Sequence, residues 1–324
     1  MEHGDIQKLY GNHLSSIVNL VVMKERPLLA HYTSLSTMES ILRGGEIWFS
    51  NPLFMNDFQE VRFGFIEGRN IVESEMLALD KNLDHIGQRV AIFLSAFTHY
   101  FKDYEEKHLF NLFIFCLSEF DPEFPDGSLS MWRGYGGNGT GAALVFRTDF
   151  IKMNADSPFL ICQVAYGTDE SRREKIRSVV EIAKSQVAGN LVPNDKLYIL
   201  AHETFHVLRL LSLTSKHRGF MEEREWRVIY LPERDIQQRC PEYLTYIVGR
   251  NGVEPKLRHP LKPISLPEGT TYDWNFENIV DRILLGPTQA TPLAIKGFSG
   301  MLKTLGKEEL IGKVRASEIP FRPT

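Results

Sequence analysis

Between residues 28 and 51 the apolar positions change period twice, and each change predicts an element. After Pro27, LLAHYT reads as a strand. In SLSTMESILRGG, Leu35, Met38, Ile41 and Leu42 share one helical face, Ser34 or Ser36 can cap the start, and Gly44 and Gly45 stop it. EIWFSN returns to a strand pattern, and Asn56 or Asp57 with Glu60 resembles a capping arrangement at the next helix. Apolar stripes through NIVESEMLALD and IGQRVAIFLSAF predict a mostly helical stretch over 68–108. LFNLFIFCLSE is almost continuously apolar before Ser118 and Glu119, the pattern of a strand buried on both faces.

The second half keeps the mixed character. A polar loop, FDPEFPDG, leads into SLSMWRGYGGNGTGAALVF, whose glycines precede a strand, GAALVF. A phosphate-cradling loop needs its glycines before a helix, so P-loop and Rossmann readings are rejected. LICQVAYG reads as a strand, 169–213 as helix broken near Pro193, and EWRVIYLPE as a strand. YLTYIVG, IVDRILLGP, LAIKGFSGMLKTLG and VRASEIPFR read as strand, strand, helix and strand. The fold class is therefore α+β. A helical lead-in over 1–27 precedes a single α+β domain over 28–324, with a C-terminal subdomain from about 236 as the alternative parse.

Composition narrows the functional classes. Of 324 residues, 43% are hydrophobic and 24% charged, which fits a globular chain and argues against disorder. A net charge of −4 supplies no global field for a polyanion. Cys116, Cys162 and Cys240 are far apart, so neither a disulfide framework nor a cysteine-ligated zinc is expected. SIVNLVVM is too short and interrupted to span a bilayer, and the expected location is cytoplasmic, with no membrane partner.

Two strings carry candidate chemistry. HETFH, with His202 and His206 four apart and Glu203 beside the first, has the spacing of a helical zinc site. Arg209 would share that helical face, and a cationic neighbour disfavours a bound cation; a third ligand from 222–225 would come from strand or loop, the wrong geometry. No metal is therefore expected, and a zinc-dependent hydrolase stays as an alternative. The other string is EREWR. If residues 223–230 are extended, Glu223, Glu225 and Arg227 face one way and Trp226, Val228 and Tyr230 the other. Charges on an inward face are costly to bury without a purpose, and a sugar-binding cleft is one. Plainer readings stand beside the functional ones: His31 as a hydrogen-bonded core histidine, EREWR as a surface ion pair, and Trp132, Tyr135 and the glycines as a packed turn.

HYTSLSTMESILRGGEIWFSNPLFMNDFQE, CLSE, SMWRGYGGNGTGAALVF, FMEEREWRVIY and ILLGP occur in this order, and over about 28–322 the chain resembles the bacterial DUF2971 family of uncharacterised proteins. A deeper resemblance is to the ADP-ribosyltransferase superfamily. It rests on His31, Tyr32 and Thr33 before the helix ending Ile41-Leu42-Arg43-Gly44-Gly45, and on Glu223-Arg224-Glu225. That resemblance implies an ADP-ribosyltransferase-like split β-sheet core with helical insertions and NAD as co-substrate. It also implies ADP-ribose transfer to a macromolecular acceptor, nucleic acid or protein, in a bacterial toxin or phage-defence setting with a cognate antitoxin or defence-system partner. It makes Glu225 the catalytic carboxylate, Glu223 the group that positions the acceptor or second ribose hydroxyl, and His31 a partner of the adenosine ribose. Tyr32, Trp132 or Tyr135 would stack on nicotinamide, with Thr33 and Arg227 completing the binding set. The superfamily's middle motif has no clean counterpart; Ser118 and Ser130 compete for it. Asn56, Asp57 and Glu60 fit the DUF2971 pattern and have no superfamily equivalent. The remaining alternative is a non-catalytic module that binds a nucleotide-like ligand.

Overall fold

Pro27 introduces β1 (Leu28–Thr33), and Ser34 turns the chain into α3 (Leu35–Gly44) by accepting a hydrogen bond from Thr37 N at 3.1 Å. Gly45, at φ 64°, ends that helix in the left-handed conformation glycine tolerates, and β2 (Glu46–Ser50) follows. A computed structural model describes residues 2–17, 25–55, 58–80, 84–149, 151, 157–249, 252–262, 264–265, 271–272 and 274–321. Asn56 and Asp57 lie outside them, as does most of SIVNLVVM.

Two short helices, α1 (His3–Leu9) and α2 (Gly11–Ile17), precede β1. After β2 come α4 (Phe58–Asp80) and α5 (Asp84–Asp103), the latter closing in a π-helical turn, Tyr104–His108. The long apolar run becomes β3 (Phe113–Phe120), followed by α6 (Leu129–Gly134), β4 (Ala142–Phe146), β5 (Phe159–Gln163) and β6 (Ala165–Gly167). Next are α7 (Asp169–Ala188), α8 (Leu197–Thr214), β7 (Ser215–His217) and β8 (Glu225–Tyr230). The chain ends through β9 (Leu244–Gly249), β10 (Gly252–Pro260), β11 (Ile264–Ser265), β12 (Thr271–Tyr272), α9 (Phe276–Ile279), β13 (Val280–Leu285), α10 (Pro292–Thr304) and β14 (Val314–Ala316).

The main sheet has 10 strands, with β14-β13-β4-β1-β3-β2-β10-β9 as its path and β8 and β5 attached through β3. Its ladders are antiparallel apart from β13 with β14. β3 is the branch point. One edge runs against β8 from Phe113↔Tyr230 to Ser118↔Glu225. The other edge is shared: β1 takes Ser118 to Phe120, and β2 meets it at Ser50↔Ile114. Among the described residues no ladder joins Phe115–Leu117 to either, so β1 and β2 diverge around the middle of β3. The sheet is split there.

β3, β5 and β8 are covered on both faces, which is why LFIFCLSE shows no alternation. Ile114, Leu160, Cys162 and Ile229 pack into a helical core built by α4, α5, α7 and α8, joined by Ile6, Tyr10 and Ile17 of the lead-in. Phe113, Phe115, Ile161, Trp226 and Tyr230 enter a second core with α3, β13 and α10. Burying these apolar side chains stabilises each element by roughly 1.5–3 kcal/mol per large residue, far more than local propensity contributes. No helix among the described residues is long and apolar enough to cross a membrane.

Several sequence-predicted boundaries move. The helical stretch over 68–108 starts earlier, at Phe58, and divides in two. LICQVAYG breaks after Gln163, where the chain leaves the main sheet to pair β6 with β7 in parallel. β10 carries no clean alternation and was not expected as a strand; its pairing with both β2 and β9 supplies the hydrogen bonds that its sequence does not announce. VRASEIPFR is extended only over Val314–Ala316, and Pro320 lies in the irregular remainder.

Candidate functional site

The split in the sheet is a cavity of about 250 Å³. Its walls come from both sides of the divergence: Ala30, His31 and Tyr32 from β1, Trp48 and Ser50 from β2, and Ile114 to Ser118 from β3. Phe54, Met55, Met131 and Tyr135 close the apolar side, while Glu223 and Glu225 supply carboxylates. No lysine or arginine is among the lining residues. Aromatic and thioether walls with a few convergent polar groups are the usual composition of a small-molecule site.

Glu225 opens β8 and is 4% exposed. Arg227, on the same face of the strand, grips it with both arms of the guanidinium: Nε to Oε1 at 2.8 Å and Nη2 to Oε2 at 3.0 Å. The third arm, Nη1, donates to Leu213 O at 2.7 Å, an orphan carbonyl in the last turn of α8. Lys216, wholly buried, places Nζ 3.2 Å from Glu225 Oε2 and 2.5 Å from Glu223 Oε2. Burial alone would push the Glu225 carboxyl up. Arg227, by charge and hydrogen bond, then Lys216 and the Cys116 thiol outweigh it and hold the group down at about 2.

Glu223 does not belong to the strand, contrary to the extended reading of 223–230. It ends a 3-10 turn, Arg218–Glu223, and Arg224 follows at φ 42° in the left-handed region. That conformation costs a residue with a Cβ about 1–2 kcal/mol. Glu119 fastens it: its backbone N donates to Arg224 O at 2.9 Å, and its carboxylate pairs with the Arg224 guanidinium. Because of this kink Glu223 turns back toward Lys216 instead of standing in register beside Glu225. Tyr135 OH donates to Glu223 Oε1 at 3.0 Å, and Ser118 Oγ donates to Glu223 O at 2.7 Å. Tyr166 OH accepts from Glu225 N at 2.7 Å, and burial pushes that phenol up to about 12.

His31 approaches from β1. Its Nδ1–H donates to Cys116 O at 2.9 Å across the split, and its ring lies 4.6 Å from that of Phe115. Burial pushes the imidazole below its ordinary value even against that hydrogen bond. The neutral ring with Nδ1 protonated keeps Nε2 as its acceptor.

His31, Tyr32, Ser118, Tyr135, Glu223 and Glu225 thus come together at one cavity. The others assigned to the site from sequence do not line it. Arg227 is wholly buried behind Glu225 and serves the carboxylate and the end of α8. Trp132 is buried, with its indole N–H donating to Asp126 O at 2.9 Å and its ring edge-on to Tyr32. Ser130 Oγ meets Ser128 Oγ at 2.8 Å, and Thr33 ends β1 opposite Ala142. The glycines after Tyr135 form a packed turn: a Cβ on Gly141 would collide with the backbone carbonyls of Thr33 and Gly136.

HETFH lies on α8 away from this cavity. Glu203 Oε1 accepts from His3 Nε2 and His202 Nδ1, each at 3.1 Å, and Arg209 Nη2 donates to His206 Nδ1 at 3.0 Å. The string fastens the lead-in: Tyr10 OH also meets Thr204 Oγ1 at 2.7 Å. Among the described residues no group of three His, Cys, Asp or Glu side chains is arranged to hold a metal ion.

Sequence reasoning missed Lys216, Tyr166 and Cys116. Lys216 sits in SKH, a three-residue strand after an apolar helix, and nothing local distinguishes it from a surface lysine. Cys116 is signalled only by its place in the central strand beside CLSE.

The fold is α+β, a mostly antiparallel split sheet with a helical layer against its central strands and a largely apolar cavity in the split that carries two carboxylates. Residues 131–228 match the family model DUF2971, a protein of unknown function, so over that span the chain is similar to that family. The matched span carries Met131, Tyr135, Lys216, Glu223, Glu225 and Arg227, whereas β1 with His31 lies before it. No curated protein and no solved structure matches the chain.

Proposed function

We propose that the protein is an NAD-consuming ADP-ribosyltransferase whose chemistry takes place in the split-sheet cavity. One observation carries the reading: His31, from β1, and Glu225, from β8, meet at the same cavity across β3, although 194 residues apart in the chain. Cleavage of the nicotinamide glycosidic bond develops oxocarbenium character on the ribose, and an ionised carboxylate beside the sugar stabilises it. Glu225, held charged by Arg227 and Lys216, is suited to that role. Glu223, tied to Tyr135, would orient the acceptor or the second ribose hydroxyl. His31 Nε2 would accept from a ribose hydroxyl, and the Tyr135 and Trp48 rings line the wall where a nicotinamide ring would lie. The acceptor is a macromolecule, nucleic acid or protein, and a toxin or phage-defence role with a cognate partner fits such an activity.

A second reading has its own observation. Glu225 is met by Arg227 twice, by Lys216 and by the Cys116 thiol, a set of donors that would equally hold a rigid wall in a module that binds a nucleotide-like ligand without turnover. The experiment that separates them is nicotinamide release from NAD⁺ by the purified chain, with and without lysate as acceptor source, beside Glu225→Gln. Release lost in the variant supports the transferase. No release by the wild type, with NAD⁺ or a fragment still bound, supports the module.

A further inference from the structure

We infer that Lys216 is the positioning residue of this site: its ammonium is what holds Glu223 and Glu225 together as two charged carboxylates at one wall of the cavity. The catalytic part of the inference rests on the transferase reading; the electrostatic part does not.

Lys216 meets both carboxylates, at 2.5 Å and 3.2 Å, while Arg227 grips Glu225 and donates to Leu213 O. The ring of Phe220 lies 4.6 Å from Nζ and helps shut it from water. Placement comes from the short parallel ladder of β6 and β7, in which Lys216 pairs with Tyr166, the residue whose hydroxyl accepts from Glu225 N. One ladder thus fixes the ammonium and the start of β8 together. The left-handed turn at Arg224 completes the convergence by directing Glu223 at the same ammonium.

Two carboxylates on one wall of a low-dielectric cavity repel, and without a shared cation one of them takes up a proton. A buried ammonium is costly to desolvate, and a hydrophobic side chain of its size would serve packing alone at least as well. What a hydrophobe cannot do is keep both acids ionised. Lys216 thereby sets the charge state of the pair that the substrate meets, while lying outside the cavity lining.

The test compares wild type, Lys216→Met and the double variant Lys216→Met/Glu223→Gln in the full chain. Glu side chains carry a carboxyl ¹³C label, with resonances assigned through the single Glu→Gln variants. In Lys216→Met one of the two carboxyls should titrate higher than in wild type by about one pH unit or more. NAD⁺ turnover should lose about tenfold in kcat with KM nearly unchanged, and its pH profile should move in the same direction. Titrations and pH profile unchanged from wild type would overturn the inference. Should Lys216→Met not fold, the double variant decides: relief of the repulsion should restore a cooperative thermal unfolding transition, and a double variant that also shows none overturns the proposal. If the wild type turns over no NAD⁺, the transferase reading fails by itself, and the carboxyl titrations still decide the role of Lys216.

Discussion

Replacing Arg227 with Met tests whether the buried ion network is as tight as its geometry. The substitution keeps an apolar stem of similar length but removes both hydrogen bonds to Glu225 and the one to Leu213 O. Taking one partner from a buried pair costs about 3–5 kcal/mol, because the other charge stays desolvated. The depressed Glu225 carboxyl gives a second figure: a folded value of about 2 against an ordinary 4.5 corresponds to about 3 kcal/mol at neutral pH. The second figure is the net of burial against Arg227, Lys216 and the Cys116 thiol together, so it overlaps the first and the two are not added. Since the folded value lies below the unfolded one, this stability is complete above about pH 4.5 and is lost as the pH falls toward 2. Urea unfolding followed by tryptophan fluorescence should therefore show a deficit of about 3–5 kcal/mol at pH 7. That deficit should narrow by roughly 1 kcal/mol at pH 4. Combining the change with Glu225→Gln should cost clearly less than the two single effects together, because the residues touch. A deficit below about 1 kcal/mol at pH 7, or strict additivity, would refute the assignment of a tight buried pair.

Glu225→Gln should abolish nicotinamide release while the chain still folds, and His202→Ala should leave release unchanged; the reverse pattern in the same assay would favour chemistry at HETFH. Gly141→Ala forces a methyl against two backbone carbonyls and should lower stability by about 1–3 kcal/mol in thermal unfolding, whereas Gly4→Ala meets open space and should cost nothing. His206 is pushed down to about 4 by burial and by Arg209, so protonation favours the unfolded chain and stability drops as the pH falls from 6.5 toward 4. His206→Gln should flatten that part of the stability-against-pH curve; an unchanged slope would assign it to other groups.

Reading 28–51 as strand, helix and strand needed only local rules, because the apolar period, the Ser34 cap and the Gly45 stop act within a few residues of one another. The same holds for the central strand at LFIFCLSE and for the strand at EWRVIY, whose alternation correctly put Trp226, Val228 and Tyr230 opposite Arg227. Glu223 shows where that logic stops. Strand alternation assigned it a face, but the left-handed turn at Arg224 is held by Glu119, 105 residues away, and redirects it. Arg227 and Lys216 show the same limit for charge. A cation in sequence can line a cavity, cap a helix or neutralise a neighbour, and only the packing of α8 and the β6–β7 ladder against β8 chooses among these. Local periodicity and caps thus determined where the elements lie, since they act over one or two turns of chain. The divergence of β1 and β2 on β3, the cavity it opens and the pairing of the charges around it were decided by tertiary contacts, because a side chain's partner across a sheet leaves no mark on its own sequence neighbours.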